Sequence, residues 1–225
     1  MSASHPRARI DIAAGDSFLP HWVKDGVRAL LAPVVRFALR WHITANTITV
    51  VGLFVVAMGA VLVAGGALLG GAAVLIAGSL LDAVDGALAR ASGGTTAFGG
   101  FLDSTLDRAS EGVLFIGIAV YYLQAPEPVL PIILALVAMT GSFMVSYTRA
   151  RAEGLGYAAS IGLAPRPERL VLISAGLILT GVGVAWGLAA ALVLIAVLTT
   201  ATVLQRIWHV WRQAGRPTTR EEIEL

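Results

Sequence analysis

Six apolar stretches, each about as long as a helix needs to be to cross a bilayer, constrain this 225-residue chain more than any other feature. They fall near 46–66, 68–90, 101–123, 128–150, 169–186 and 188–209. Only 13% of the residues are charged, whereas a soluble domain usually carries about a quarter. We therefore predict an all-α integral membrane protein with six transmembrane helices.

The segment ahead of the first apolar stretch predicts an amphipathic helix in the membrane interface. Apolar residues alternate there with basic ones, and Trp22 and Trp41 are the expected interfacial anchors. The expected organisation is a polar tail (1–18), a juxtamembrane helix (19–42), a six-helix transmembrane domain (43–210) and a second polar tail (211–225).

The distribution of basic residues predicts the orientation in the membrane. All sixteen Lys and Arg residues lie in the N-terminal segment, around connections 2–3 and 4–5, or near the C-terminus. Basic residues concentrate on the cytoplasmic side of membrane proteins. A multi-pass protein of the inner or plasma membrane with cytoplasmic termini is therefore expected. The net charge of only +2 gives no reason to expect a nucleic-acid partner, and without cysteine there is no disulfide or thiolate site.

Four aspartates sit at the boundary between the second and third apolar stretches. Asp82 and Asp85 are three residues apart, and Asp103 and Asp107 are four apart, so on helices each pair shares one face. Carboxylates are costly in membrane helices and repel one another at close range. A hard divalent cation such as Mg²⁺ or Mn²⁺ would remove that conflict. Helix capping or pairing with Arg90 or Arg108 remains the alternative for any single aspartate.

Residues suited to binding a phosphate surround the aspartates. Gly86 leaves the backbone accessible to a ligand, and Arg90 offers a planar, permanently charged donor for phosphate oxygens. The connection over residues 91–100 is rich in glycine and hydroxyl side chains, although a glycine-rich connection is also typical of a plain turn. Together these features favour chemistry on a metal-bound phosphate.

The array Asp-x-x-Asp-Gly-x-x-Ala-Arg, eight residues, then Gly-x-x-x-Asp-x-x-x-Asp resembles the signature of the CDP-alcohol phosphatidyltransferase family. Its fixed positions in this chain are Asp82, Asp85, Gly86, Ala89, Arg90, Gly99, Asp103 and Asp107. The segment from Ile43 to Gly52 is similar to the family's entry to the first span, with Ala45 where many members have proline.

The resemblance implies roles for individual residues. It implies that Asp82, Asp85, Asp103 and Asp107 hold two Mg²⁺ or Mn²⁺ ions, and that Asp107 also acts as general base towards the acceptor hydroxyl. It further implies that CDP-diacylglycerol is bound by Asn46, Thr49, Gly86, Arg90 and Thr96. The active site is expected on the cytoplasmic side, and a homodimer is expected because family members form one.

Basic segments further along the chain bear on the acceptor alcohol. The segments around residues 146–153 and 165–169 resemble those of actinobacterial phosphatidylinositol phosphate synthases, which implies inositol 1-phosphate as acceptor. Guanidinium groups suit a phosphate, so the expected acceptor-phosphate ligands are Arg149, Arg151, Arg166 and Arg169. The same arginines would also be explained by the concentration of positive charge on the cytoplasmic side alone.

Other functions stay open at this point. A phosphatidylglycerophosphate synthase would use glycerol 3-phosphate with the same chemistry. An ion-coupled transporter also carries carboxylates within its membrane helices, but it predicts acids near mid-membrane and discontinuous helices related by a repeat.

Overall fold

The computed structural model describes residues 21–92, 94 and 96–214, and over residues 21–30 it describes the backbone alone. These residues form seven α-helices: α1 (His21–Arg40), α2 (Ala45–Ala64), α3 (Leu68–Ala91), α4 (Ala97–Tyr122), α5 (Val129–Glu153), α6 (Arg166–Gly181) and α7 (Gly187–Ala214). The all-helical prediction is confirmed. The predicted tail over 1–18, residues 215–225 of the second predicted tail and the side chain of Trp22 lie outside the described residues.

The chain divides between Gln124 and Ala125 into two compact units, each described here by itself. In the N-terminal unit, α2 packs against both α3 and α4. The α2–α4 contact is very close, since a Cβ atom at Gly117 would lie 2.5 Å from the Ala60 carbonyl oxygen. Small residues allow such backbone approaches between apolar helices. The contact places the starts of α2 and α4 beside the end of α3.

Helix α1 packs along α3 through one apolar face. Leu31, Val35 and Ala38 are buried against Val84 and Leu88 of α3. The opposite face of α1 is exposed and mixes apolar with basic side chains. The ring of Phe37 on this face lies 5.9 Å from the ring of Trp41, which directly follows the helix. This two-faced helix agrees with the amphipathic pattern in the sequence, while its position at a membrane surface stays a prediction.

The C-terminal unit is built around α7, which packs against both α5 and α6. Its core includes Ile173 and Leu177 from α6 and Leu188, Leu192 and Ile195 from α7, all fully buried. Several buried polar residues lie in the same unit, among them Ser142, Thr199, Thr202, Arg169 and Arg206. Buried arginines in an apolar helical unit are unusual and indicate a functional or positioning role.

Four helices of the described chain are long and apolar enough to cross a membrane: α2, α3, α5 and α7. Helix α4 carries Asp103, Asp107 and Arg108 in its first half and Glu111 just beyond its midpoint. Helix α6 has 16 residues, about 24 Å of helix against roughly 30 Å of hydrocarbon. The chain is accordingly an α-helical membrane protein, and the arrangement with six spans remains a prediction.

Candidate active site

A pocket of about 530 Å³ lies in the N-terminal unit, where α2 and α4 begin and α3 ends. Six of the residues predicted from the sequence line it, namely Asn46, Thr49, Asp85, Gly86, Thr96 and Asp103. They come from three different helices and are separated by up to 57 positions in the chain. The fold thus brings four of the five predicted donor-binding residues to two of the four predicted metal ligands. The residues that line the pocket do not include Arg90, Asp82 or Asp107.

Two helix N-termini lie at this pocket, since residues at the starts of α2 and α4 line it. Thr44 caps α2, its hydroxyl accepting a hydrogen bond from the Thr47 amide at 3.2 Å. Thr96 caps α4, its hydroxyl accepting from the Gly99 amide at 2.9 Å. A Cβ atom at Gly99 would lie 3.2 Å from Asn46 Oδ1, so glycine lets the two helix starts approach. Helix N-termini favour bound anions, as a diphosphate requires.

Asp85 is the most enclosed of the four predicted carboxylates, with only 6% of its surface exposed. Its Oδ2 accepts a hydrogen bond from the Thr49 hydroxyl at 2.9 Å. The same hydroxyl lies 3.1 Å from the Ala45 carbonyl oxygen, and its single proton can serve only one of the two acceptors at a time. When the Thr49 hydroxyl donates its proton to Asp85, it orients that carboxylate directly. The sequence does not predict this contact.

The other carboxylates lie around Asp85. Asp82 and Asp103 are close enough to Asp85 to interact with it electrostatically. A Cβ atom at Gly52 would come within 3.3 Å of Asp82 Oδ1, so glycine in α2 leaves room for that carboxylate. Asp107 Oδ2 lies 3.6 Å from a terminal nitrogen of Arg108.

The donor set around Asp85 fits a hard divalent cation in its chemistry, because it consists of carboxylate oxygens with like charges near one another. Within the described residues, however, no three His, Asp or Glu side chains already converge in the arrangement of a metal cage. Metal binding by Asp82, Asp85, Asp103 and Asp107 therefore stays a prediction of the sequence.

Arg90 lies one turn after Gly86 on α3 and folds back towards it. A Cβ atom at Gly86 would lie 3.5 Å from a terminal nitrogen of Arg90. The Arg90 Nε is buried and has no hydrogen-bond partner among the described residues. A buried donor without an acceptor is costly, and a ligand oxygen would satisfy it.

The four arginines predicted to bind the acceptor phosphate all lie in the C-terminal unit, in different surroundings. Arg149 is exposed and pairs with Glu153 at 2.8 Å, and Arg151 is exposed as well. Arg166 is half-buried in the first turn of α6. Arg169 is 1% exposed and donates a hydrogen bond to the Ala164 carbonyl at 2.7 Å.

The sequence interpretation missed two residues that the structure associates with these sites. His42 lines the pocket from the corner between α1 and α2, where its backbone has a φ of +53°. Arg206 of α7 is buried and lies within electrostatic range of Arg149 and Arg169. A charge inside the last apolar stretch is a signal for Arg206, whereas nothing in the local sequence marks His42.

Comparison with known proteins decides the family. Residues 42–203 match the family model for CDP-alcohol phosphatidyltransferase. The chain belongs to the CDP-alcohol phosphatidyltransferase family. The matched region contains the four predicted aspartates, the predicted donor-binding residues and Arg149, Arg151, Arg166 and Arg169, so the predicted enzyme class is confirmed.

Two curated relatives in this family are similar over most of their length. An archaetidylinositol phosphate synthase of Methanothermobacter thermautotrophicus is 38% identical over 186 residues, covering 80% of this chain and 92% of the relative. A phosphatidylinositol phosphate synthase of Mycobacteroides abscessus is 38% identical over 185 residues, covering 81% of this chain and 84% of the relative. The predicted resemblance to actinobacterial phosphatidylinositol phosphate synthases is confirmed.

Solved structures of a CDP-alcohol phosphatidyltransferase show the same fold. The Mycobacterium tuberculosis phosphatidylinositol phosphate synthase with CDP-DAG bound superimposes with a TM-score of 0.77 at 32% identity, covering 85% of this chain and 99% of that one. A second structure of that enzyme, in complex with manganese and citrate, also gives a TM-score of 0.77 at 32% identity over 84% of this chain and 93% of that one.

Proposed function

We propose that this enzyme transfers the phosphatidyl group of CDP-diacylglycerol to inositol 1-phosphate, releasing CMP. The observation that carries the proposal is the pocket, in which four of the five predicted donor-binding residues meet Asp85 and Asp103. The names of the two relatives support inositol 1-phosphate as the acceptor. Both are inositol phosphate synthases, although the lipid group is archaetidyl in one and phosphatidyl in the other.

The pocket suits the nucleotide-diphosphate end of the donor. Two helix N-termini and the buried Arg90 Nε offer positive potential and hydrogen-bond donors to its phosphates. Asn46, Thr49, Gly86, Arg90 and Thr96 are the residues proposed to bind it. The lipid tails of such a donor need an apolar environment, which a membrane protein supplies.

The four aspartates are proposed to hold two Mg²⁺ or Mn²⁺ ions. Such ions, when bound, would neutralise the diphosphate and stabilise the leaving phosphate. Thr49 keeps Asp85 oriented towards the pocket through its hydrogen bond. The manganese in the M. tuberculosis relative supports a divalent metal for this family member as well.

Asp107 is proposed to accept the proton of the acceptor hydroxyl. The oxygen of that hydroxyl then bonds to the phosphorus that carries the diacylglycerol, and the bond from this phosphorus to the oxygen of CMP breaks. The proton remains on Asp107, and CMP leaves with the electron pair of the broken bond. Arg108 lies beside this group, with a terminal nitrogen 3.6 Å from Asp107 Oδ2.

The acceptor phosphate is proposed to bind at cationic residues of the C-terminal unit. Arg206 interacts electrostatically with Arg149 and Arg169, and Glu153 is the acidic group nearby. The Arg206 guanidinium is repelled by those of Arg149 and Arg169, and a phosphate would relieve that repulsion. Arg151 and Arg166 are the other two candidates from the sequence. This electrostatic arrangement favours a phosphorylated acceptor over free inositol.

We further propose a homodimer as the assembly. Within each chain we propose six membrane spans, formed by α2 to α7, with the termini and the active site on the cytoplasmic side. The short α6 and the charged first half of α4 would then extend towards the cytoplasmic interface. The apolar composition and the charge distribution support this arrangement.

CMP release by the purified enzyme tests the proposal. With CDP-diacylglycerol as donor, inositol 1-phosphate is expected to support turnover, whereas glycerol 3-phosphate, free inositol and serine are not. A donor with an archaetidyl group tests the lipid preference separately. Turnover with glycerol 3-phosphate alone would make the enzyme a phosphatidylglycerophosphate synthase, and turnover only with free inositol or serine would refute the phosphate-binding role of the arginines.

A further inference from the structure

The connection between α5 and α6 (residues 154–165) is fastened to α7 by a buried threonine. Thr202 Oγ1 accepts hydrogen bonds from the backbone amides of Leu163 at 3.0 Å and Ala164 at 3.2 Å. Its own proton goes to the Leu198 carbonyl within α7 at 2.8 Å. Thr202 is 0% exposed, so these amides would have no water to replace the threonine oxygen.

Two more side chains on α7 hold the same connection. Arg206 Nε donates to the Ile161 carbonyl at 2.7 Å, and a terminal nitrogen of Arg206 donates to the Val145 carbonyl of α5. Gln213 pairs twice with Ala158, its Nε2 donating to the carbonyl at 2.7 Å and its Oε1 accepting from the amide at 3.2 Å. Positions 202, 206 and 213 share one face of a helix. We call Thr202, Arg206 and Gln213 the α7 clamp.

Gly162 fits the connection closely against the clamp. Its φ of +148° belongs to the range that favours glycine, and a Cβ atom there would collide with the methyl group of Thr202. The backbone at Gly162 therefore contacts the Thr202 side chain directly. A change in that side chain would shift the position of the connection.

The clamp reaches the acceptor arginines through a single residue, Ala164. Thr202 holds the Ala164 amide, and the Ala164 carbonyl accepts the hydrogen bond of Arg169 at 2.7 Å. Arg166 and Arg169 follow in the first turn of α6, while Arg149 and Arg151 precede the connection in the last turns of α5. Four candidate phosphate ligands therefore flank a segment whose position is set from α7.

We propose that Thr202 and Gln213 are positioning residues for the acceptor phosphate: they touch no substrate and act by fixing the 154–165 connection and the arginines beside it. This inference rests on the proposed function, since it needs a phosphorylated acceptor. A role in folding alone would lower stability and the amount of active enzyme without changing the affinity for one substrate. A positioning role changes the KM for the acceptor specifically.

The test compares Thr202→Val, which keeps the shape and removes the oxygen, with Thr202→Ser, which keeps the oxygen. Thr200→Val is the matched control, because exposed Thr200 is bonded only within its own helix, to the Ala196 carbonyl. Thr202→Val is expected to raise the KM for inositol 1-phosphate by about tenfold or more while leaving the KM for CDP-diacylglycerol and kcat within about twofold. Thr202→Ser and Thr200→Val should stay near wild type. Gln213→Ala, at the solvent-accessible end of the clamp, should shift the acceptor KM in the same direction by a smaller factor.

Hydrogen exchange of the 158–164 amides provides a readout that needs no turnover, and Thr202→Val should accelerate it. An unchanged acceptor KM in both Thr202→Val and Gln213→Ala would overturn the proposal, as would an equal rise in both KM values. If wild type releases no CMP with inositol 1-phosphate, the proposed acceptor is wrong. The clamp is then judged by the same KM comparison with the acceptor that does react and by hydrogen exchange.

Discussion

A carboxylate buried in an apolar helix costs several kcal/mol unless hydrogen bonds or a cation compensate for it. Asp85 accepts hydrogen bonds from the Thr49 hydroxyl and the Gly86 backbone, and it stands beside Asp82 and Asp103, whose like charges repel its own. These two neutral donors do not offset that repulsion. A bound cation is therefore the expected compensation. It would explain why three carboxylates lie close together where α3 ends and α4 begins.

Removal of a single carboxylate tests this explanation. Asp82→Asn and Asp103→Asn are each expected to lower CMP release by about a hundredfold or more, because the cation would lose a ligand and the diphosphate its neutralising charge. Excess chelator should abolish activity in wild type, and added Mg²⁺ or Mn²⁺ should restore it. Glu127→Gln removes an exposed carboxylate outside the cluster and serves as the control. Full turnover in chelator would contradict the metal site.

The hydroxyl of Thr49 can be tested independently of the carboxylates. Thr49→Val removes the hydrogen bond to Asp85 while keeping the side-chain volume, and a hydrogen bond to a charged group is worth roughly 1.5–3 kcal/mol. The concentration of Mg²⁺ needed for half-maximal activity should rise by about tenfold or more, whereas Thr49→Ser should stay close to wild type. Thr47→Val, on the exposed side of the same turn, is the control. Equal metal dependence in Thr49→Val and wild type would exclude a role for this contact.

At the residue scale, the sequence predicts what the motif spacing determines and misses what tertiary contacts create. Asn46, Thr49, Gly86 and Thr96 lie in the same pocket as Asp85 and Asp103, as the resemblance implies. The hydrogen bond from Thr49 to Asp85 joins residues 36 positions apart and depends on the approach of α2 to α3. His42 lines the pocket only because α1 packs on α3 and the chain turns sharply at that corner.

At the element scale, the apolar stretches of the sequence predict α2 to α7, with helix ends that differ from the predicted ones by up to five residues. Helix α4 begins at Ala97 rather than near 101 because Thr96 caps it. Helix α7 continues to Ala214, beyond the apolar stretch that ends near 209. Helix α6 runs from Arg166 to Gly181, earlier at both ends than the stretch 169–186. Hydropathy follows the apolar surface, whereas the helix ends follow capping and tertiary contacts.

The close contact between α2 and α4 gives a prediction about helix packing. Gly117→Ala places a Cβ atom 2.5 Å from the Ala60 carbonyl oxygen, so the helices must separate. A stability loss of about 1–3 kcal/mol is expected, seen as a lower Tm in detergent, together with reduced activity because α4 carries Asp103 and Asp107. Gly70→Ala is the matched control, since the nearest atom to its added Cβ is 3.8 Å away on the Leu62 side chain. An unchanged Tm for Gly117→Ala would contradict this packing.

At the scale of the whole molecule, the proposed reaction draws on both compact units. The aspartates and the donor pocket belong to the N-terminal unit, and the candidate acceptor arginines belong to the C-terminal unit. The sequence predicts one catalytic domain over 43–210 from its continuous run of apolar stretches, and that prediction stays untested. Hydropathy is a local property, so it cannot predict that the chain divides into these two units.

Membrane orientation is the last prediction, and it follows from charge. The sixteen Lys and Arg residues avoid connections 1–2, 3–4 and 5–6, which places the connection after α3 on the cytoplasmic side. The chain has no cysteine, so single cysteines report their own side of the membrane. A membrane-impermeant maleimide should label Glu127→Cys in intact cells and Ser92→Cys only after permeabilisation, since both positions are exposed. Labelling of Ser92→Cys from outside, with Glu127→Cys protected, would reverse the orientation and place the pocket on the opposite face of the membrane.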